Sequence, residues 1–196
     1  MRGQVISVIL GALAGPLLKM AQKIFLIGYR GAGKSSVGRA LAHGLGWVFW
    51  DLDERIVSEE GLLIREMVQR HGWGYFRERE QKALMEAADH AGNLVVACGG
   101  GAVMHEEVWP RIKKNAVVVW LKASIRTILE RIDADPATDA LRPALTGERS
   151  MEDEVREMLD ARVPLYEKWA DISIDTDGRS QDEMAREIID MLHRQI

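Results

Sequence analysis

The sequence predicts a three-layer α/β fold, in which helices cover both faces of a five-stranded parallel sheet. Short apolar runs alternate along the chain with longer segments of helical periodicity. Successive strands that are connected through a helix run parallel to one another. The chain has 196 residues, a length that suits one domain with a full hydrophobic core.

Five short apolar runs are predicted as buried parallel strands. The first reads KIFLIG, and the third reads NLVVAC and stops at three glycines. The second precedes two aspartates, the fourth reads AVVVWL, and the fifth reads DISID. The predicted strands are Lys23–Gly28, Trp47–Trp50, Asn93–Cys98, Ala116–Leu121 and Asp171–Asp175.

Helices are predicted where apolar residues recur at helical spacing. In the first of them Val37, Leu41 and Leu45 form one stripe, which ends at Gly46. Ser124 is the expected N-cap of a later helix. The predicted helices are Lys34–Leu45, Ile56–Arg70 with an interruption near Gly61, Glu78–His90, Ser124–Ile132, Glu152–Arg162 and Gln181–Arg194.

Residues 1–19 are set apart from the predicted domain, which is assigned to 20–196. Val5–Leu18 is nearly all apolar, but it is shorter than the roughly 20 residues that cross a bilayer, and Pro16 interrupts it. Three interpretations stay open for this extension. Its sequence could come from a start codon upstream of the true one, or it could form a packing helix. An export signal is the least favoured of the three.

Composition excludes several functional classes. The formal net charge is −4, which disfavours nucleic acid or an anionic membrane as the main partner. The single cysteine, Cys98, cannot form an internal disulfide, which fits the reducing cytoplasm. The histidines show no pair at the spacing of metal ligands, so no zinc site is expected.

The most specific motif is a phosphate-binding loop. Residues 28–35 read GYRGAGKS, match G-x-x-x-x-G-K-[ST], and stand between a predicted strand and a predicted helix. Glycines let backbone N–H groups point at phosphate oxygens, and the helix N-terminus adds partial positive charge. Lys34 is expected to reach the β- and γ-phosphates, and Ser35 to ligate Mg²⁺. The predicted nucleotide contacts are Gly31, Ala32, Gly33, Lys34, Ser35 and Ser36.

Two aspartates are candidates for metal and substrate binding. Asp51 and Asp53 follow the second strand, at the sheet edge where α/β proteins bind ligands. Two residues apart on an extended segment, their side chains would point the same way. One is expected to hold Mg²⁺ through water, and the other to meet a hydroxyl. The structural alternative is that one of them caps a helix.

Glycines and arginines supply further candidates. Arg77 follows an aromatic residue and has Glu80 one helical turn on, an arrangement that fixes a guanidinium for bidentate binding of a carboxylate. Gly99–Gly101 are expected where the backbone approaches a ligand closely. The polar segment 133–150 is expected to be a lid whose Arg142 neutralises phosphoryl charge. Considered one at a time, these arginines are more simply interpreted as solvated surface charges.

In combination, these motifs resemble those of the shikimate kinases. The ordered set is GxxxxGKS, Asp-x-Asp, Phe-Arg-x-x-Glu, Gly-Gly-Gly, Leu-Arg-Pro and Arg-x-Pro-Leu-Tyr, and the similarity spans residues 23–196. The resemblance implies a P-loop kinase of the nucleoside monophosphate kinase-like fold, with strand order 2-3-1-4-5. It implies a substrate-binding region at about 51–92 and a mobile lid at about 133–150. The implied reaction moves the γ-phosphoryl group of ATP to the 3-hydroxyl of shikimate with Mg²⁺, in aromatic amino-acid biosynthesis.

The resemblance also implies individual roles. Lys34 would contact phosphates, Ser35 would ligate Mg²⁺, and Asp51 would orient metal-bound water. Asp53 would bind the ring hydroxyls and accept the proton. The other implied roles are Arg77 and Arg162 on the shikimate carboxylate, Gly99 and Gly100 at the substrate, Arg142 on the ATP phosphates and Arg131 on the adenine.

Alternatives to this interpretation stay open. A gluconate kinase would share the phosphate loop and also phosphorylate a polyhydroxy acid. A nucleoside monophosphate kinase fits less well, because Asp53 is poorly placed for an acceptor that is itself a phosphate. A regulatory module that only binds shikimate would often have lost Lys34, Asp53 or a carboxylate-binding arginine, and all are present here. We expect a monomer, since closure of a lid needs free surface.

Overall fold

The computed structural model describes residues 22–134 and 150–194. Its five strands form one parallel sheet in the order β2-β3-β1-β4-β5. The predicted fold class and strand order are therefore confirmed. The strands are β1 (Lys23–Ile27), β2 (Val48–Asp51), β3 (Leu94–Ala97), β4 (Ala116–Lys122) and β5 (Ile172–Asp175).

Helices connect and cover these strands. A short 3₁₀ turn, Ala102–Met104, lies between β3 and the fourth α-helix of the described chain. None of the helices in residues 22–134 and 150–194 is long and apolar enough to cross a membrane. The α-helices are α1 (Lys34–Leu45), α2 (Leu52–Glu60), α3 (Ile64–Asp89), α4 (Trp109–Ile112), α5 (Ile125–Ala134), α6 (Met151–Trp169) and α7 (Gln181–Arg194).

The central strand β1 shows why there are three layers. All of its residues are buried, and they alternate between two hydrophobic clusters on opposite faces of the sheet. Phe25 and Ile27 pack with residues of α2, α3, α4 and α6. Ile24 and Leu26 pack with residues of α1 and α7. Burial on both faces explains why the strand reads as a continuous apolar run.

Two helices are longer than their sequences predict. The stretch between the predicted helices Ile56–Arg70 and Glu78–His90 is helical too, and α3 is interrupted only at Gly72, whose φ of 82° and ψ of 169° are not helical. Arg77 therefore lies on a helix. The predicted end of α6 at Arg162 is also wrong, because the helix continues through Pro164 to Trp169. Proline removes one backbone hydrogen bond, and the burial of Tyr166 beyond it offsets that loss.

Candidate active site

The phosphate loop (Gly28–Ser35) joins β1 to α1, as predicted. Gly31 and Gly33 have φ values of 76° and 90°, in the region that favours glycine. The side chain of Lys34 is buried, and its Nζ donates a hydrogen bond to the Tyr29 carbonyl at 2.8 Å. The ammonium group is therefore held within the loop that would cradle the phosphates.

Asp51 links the phosphate loop to α2. Its Oδ2 accepts a hydrogen bond from Ser35 Oγ at 2.5 Å. Its Oδ1 accepts the backbone N–H groups of Asp53 and Glu54, at 3.1 and 3.2 Å. The two aspartates do not share an extended segment: Asp51 caps α2, and Asp53 lies in its first turn. The correction has a simple cause, since an aspartate at a strand end can start a helix directly.

The pair Ser35 and Asp51 fits a magnesium ion. Their two oxygens are the hard ligands that Mg²⁺ prefers. Within residues 22–134 and 150–194, no group of three histidine, cysteine, aspartate or glutamate side chains could hold a metal. An ion at Ser35 and Asp51 would therefore complete its shell with phosphate oxygens and water, the usual coordination of nucleotide-bound Mg²⁺.

Arg131 holds the phosphate loop at Gly31. This α5 residue donates from Nη1 to the Gly31 carbonyl at 3.0 Å and to Thr176 Oγ1 at 3.2 Å. Its Nη2 donates to the Thr176 carbonyl at 2.9 Å, and Thr176 is wholly buried. The guanidinium thus ties the loop to the segment after β5, directly beside the predicted phosphate site.

A cleft of about 580 Å³ brings most of the predicted residues together, but its lining does not include Ala32, Gly99, Arg77 or Arg162. Its lining joins the phosphate loop, the start of α2 and the glycine loop (Gly99–Gly101) after β3. Arg142 and positions 135–149 of the expected lid lie outside the described residues, as do residues 1–19. The predicted site residues on the cleft wall are Gly31, Gly33, Lys34, Ser35, Ser36, Asp51, Asp53, Gly100 and Arg131.

The two arginines expected to bind a carboxylate both contact the glycine loop. Arg162 on α6 is buried, and its Nη1 donates to the Gly100 carbonyl at 3.1 Å. Tyr166 OH donates to the same carbonyl at 3.0 Å. Burial raises the pKa of Tyr166, so its hydroxyl stays protonated and keeps donating. The resemblance placed Gly100 at the substrate and gave no sign of this use of its carbonyl.

Arg77 is anchored by a buried cluster formed with Glu80 and His105. Its Nη1 pairs with Oε2 of Glu80, which is wholly buried. His105 Nε2 lies 3.0 Å from the same oxygen. Burial alone would raise the pKa of Glu80, but the His105 hydrogen bond and the charge of Arg77 outweigh it and hold that pKa below its ordinary value. The sequence foresaw Glu80 as partner of Arg77 and gave no signal for His105.

The guanidinium of Arg77 explains why residue 101 is a glycine. A Cβ atom at this position would lie 2.7 Å from Arg77 Cζ, well inside van der Waals contact. The backbone itself, with φ −97° and ψ −2°, is open to other residues. At Gly101 the expected close approach is therefore made by a side chain of the protein, which corrects the sequence-based explanation for this glycine.

Comparison with known proteins gives consistent matches. The sequence model of the family described as shikimate kinase matches residues 30–193. A shikimate kinase of Syntrophus aciditrophicus (strain SB) is 42% identical over 175 residues, covering 86% of this chain and 89% of the relative. A solved shikimate kinase from Acinetobacter baumannii, in complex with shikimate, is 33% identical with a TM-score of 0.80, covering 88% of this chain and 93% of the other.

A gluconokinase from Sinorhizobium meliloti 1021 is a more distant structural neighbour. It is 20% identical with a TM-score of 0.54, covering 89% of this chain and 93% of its own. At that identity the similarity shows a common fold alone, and it carries no argument about the phosphate acceptor of this chain.

Proposed function

Because the chain belongs to the shikimate kinase family, and so phosphorylates shikimate with ATP and Mg²⁺, we propose that the cleft described above carries out this reaction. The observation that carries the proposal is the meeting, in one cleft, of the phosphate loop, Asp53 and the glycine loop. The reaction belongs to aromatic amino-acid biosynthesis. It places a nucleotide phosphate chain and a polyhydroxy acid side by side, and the cleft offers groups for both.

The nucleotide side is formed by the phosphate loop. Backbone N–H groups of Gly31–Ser36 cradle the phosphate oxygens, and Lys34 contacts the β- and γ-phosphates. Ser35 Oγ and Asp51 would hold the magnesium ion, with Asp51 orienting a water bound to it. When bound, Mg²⁺ neutralises charge on the phosphate oxygens. Arg131 lies against the adenine, and Arg142 neutralises the phosphate charge as the lid closes.

The acceptor side is formed by the carboxylate-binding arginines. Shikimate carries one carboxylate and three ring hydroxyls. Arg77 and Arg162 contact adjacent residues of the glycine loop from different helices, and this proximity supports a shared role in binding one carboxylate. Gly99 and Gly100 contact the substrate through the backbone. Asp53, across the cleft, hydrogen-bonds the ring hydroxyls and thereby fixes which hydroxyl faces the phosphoryl group.

The transfer needs positioning more than a strong base. The oxygen of the 3-hydroxyl forms a bond to the γ-phosphorus while the bond to the β–γ bridging oxygen breaks, and ADP leaves with that electron pair. The hydroxyl proton passes to Asp53. Lys34 offsets the negative charge that develops on the phosphate oxygens. Asp53 acts chiefly by orienting the hydroxyl, since the transition state of phosphoryl transfer is loose.

Release of ADP from Mg-ATP tests this function directly. We expect turnover with shikimate and none above background with gluconate or without an acceptor. Turnover with gluconate would keep the role of the phosphate loop and contradict the carboxylate assignment to Arg77 and Arg162. A protein that shikimate stabilises against heat without turnover would be a binding module.

Substitution of Gly101 by alanine is expected to weaken shikimate binding selectively. The new methyl group forces the Arg77 guanidinium away, while the backbone conformation tolerates alanine. We expect the KM for shikimate to rise roughly tenfold, because the charge-assisted hydrogen bonds of one arginine are lost. Steady-state kinetics measure this effect, with Gly74→Ala as control, since a Cβ there meets nothing within 4 Å. An unchanged KM in G101A would mean that Arg77 does not bind the substrate.

The same proposal covers location and assembly. The ATP-dependent reaction and the buried free Cys98 favour the cytoplasm. The net charge of −4 disfavours nucleic-acid and membrane partners. A monomer is the expected state, because a closing lid at 133–150 needs free surface around the cleft.

A further inference from the structure

We infer that His105 is a positioning residue for shikimate binding, which acts by holding the Glu80 carboxylate that in turn holds the Arg77 guanidinium. The inference rests on the proposed function, because it matters only if Arg77 binds the substrate carboxylate. His105 follows the 3₁₀ turn after the glycine loop and stands 25 residues from Glu80 in the chain. It is buried and does not line the cleft.

The geometry makes Glu80 depend on two donors. Arg77 Nη1 and His105 Nε2 both bind the same oxygen, Oε2. The other oxygen, Oε1, is buried and accepts no hydrogen bond from the described residues. A buried carboxylate costs free energy unless hydrogen bonds and charges compensate it. If one donor is lost, the buried charge of Glu80 is therefore compensated by the other donor alone.

Without the His105 donor, Glu80 has two possible responses. If the carboxylate stays ionised, its only remaining partner is Arg77, and it competes with the substrate carboxylate for that guanidinium. If Glu80 takes up a proton, Arg77 loses the charge that anchors it. Either response weakens binding of the shikimate carboxylate. Neither touches Lys34 or Asp53, so the rate of transfer from the bound complex should change much less.

The test compares two substitutions at His105. His105→Met fills a similar volume and donates nothing, whereas His105→Gln carries an amide N–H near the position of Nε2. We expect His105→Met to raise the KM for shikimate roughly tenfold, with kcat and the KM for ATP within about twofold. His105→Gln should stay within about threefold of the parent protein in all three constants. Rescue by glutamine separates a hydrogen-bond donor from a packing role.

Gln81→Met is the matched control. Gln81 Nε2 donates to Glu107 Oε1 at 2.6 Å and so links the same two segments at the surface, one residue away from Glu80. Loss of this hydrogen bond in Gln81→Met should leave the KM for shikimate unchanged. If His105→Met does not yield folded protein, His105→Asn takes its place. Its amide is too short to reach Glu80, so the same rise in KM is expected.

Three outcomes would overturn the inference. The first is an unchanged KM for shikimate in folded His105→Met or His105→Asn. The second is an equal loss in His105→Gln and His105→Met, which would indicate packing alone. The third is a matching rise in KM in Gln81→Met, which would indicate a general effect of joining the two segments. Arg77→Met separates these outcomes from failure of the proposed function, because an unchanged KM in that variant would refute the carboxylate assignment itself.

Discussion

Replacement of Lys34 by methionine is expected to lower kcat about a thousandfold, the largest effect of any single change in this site. Lys34 is buried and held at the Tyr29 carbonyl, 2.8 Å from Nζ. From that position its charge acts at short range and with little screening by water. Methionine retains the length of the side chain and removes the charge. Measurement of kcat from ADP release at saturating shikimate and Mg-ATP gives the size of the effect.

Lys114→Met is the control for Lys34→Met. Lys114 is an exposed lysine, so the change in net charge is the same and the site is untouched. We expect full activity from this variant. The proposed role of Lys34 would be refuted if Lys34→Met kept kcat within tenfold of the parent, provided that thermal unfolding shows both variants to be folded.

Asp53→Asn is expected to lower kcat about a hundredfold, with a smaller rise in the KM for shikimate. Asp53 lines the cleft in the first turn of α2, and Asp51 caps that turn. Asparagine keeps the shape of the side chain but cannot accept a proton. Its amide can also present a donor where the hydroxyl needs an acceptor. Initial rates over a range of shikimate concentrations separate the two constants.

Glu59→Gln provides the comparison for Asp53→Asn, because it makes the same carboxylate-to-amide change at an exposed position of α2. Surface ion pairs such as that of Glu59 with Arg55 contribute little, so activity should be unaffected. Near-complete retention of kcat with unchanged KM in Asp53→Asn would eliminate both roles of Asp53, the orientation of the hydroxyl and the acceptance of its proton. A higher KM with unchanged kcat would leave only substrate binding.

The sheet and the phosphate loop could be predicted because their signals are local. A strand such as β1 is buried on both faces, so its own residues are continuously apolar. The phosphate loop combines a fixed glycine spacing with a strand before it and a helix after it. In both cases the neighbouring residues in sequence carry the information that the structure uses.

Element boundaries near the site were harder to predict, because one residue can serve two elements. Asp51 ends β2, caps α2 and accepts the Ser35 hydroxyl. The sequence offered two alternatives for Asp51, a helix cap or a site residue. The structure shows that one residue can do both. Similarly, Pro164 predicts a helix end, yet the contacts of Arg162 and Tyr166 with Gly100 hold both sides of that proline in one helix.

Contacts between distant parts of the chain left no signal in the sequence. His105 meets Glu80 only because the 3₁₀ turn after β3 brings it against α3. Gly101 accommodates the side chain of Arg77, although the run of three glycines gives the same pattern as a loop around a ligand. Such pairs depend on the tertiary fold, and spacing along one chain cannot reveal them.

The position of β1 at the centre of the sheet also sets the order of events during synthesis. Lys23 of β1 pairs in register with Leu94 of β3 and with Ala116 of β4, and both partners are made later. At about 5–20 residues per second, the first partner strand follows β1 by several seconds. During that interval residues of α1, α2 and α3 can already cover the two faces of β1, but both of its hydrogen-bonding edges lack a partner strand. The strand that positions the phosphate loop therefore has two open edges in the nascent chain, and such edges can pair with other chains.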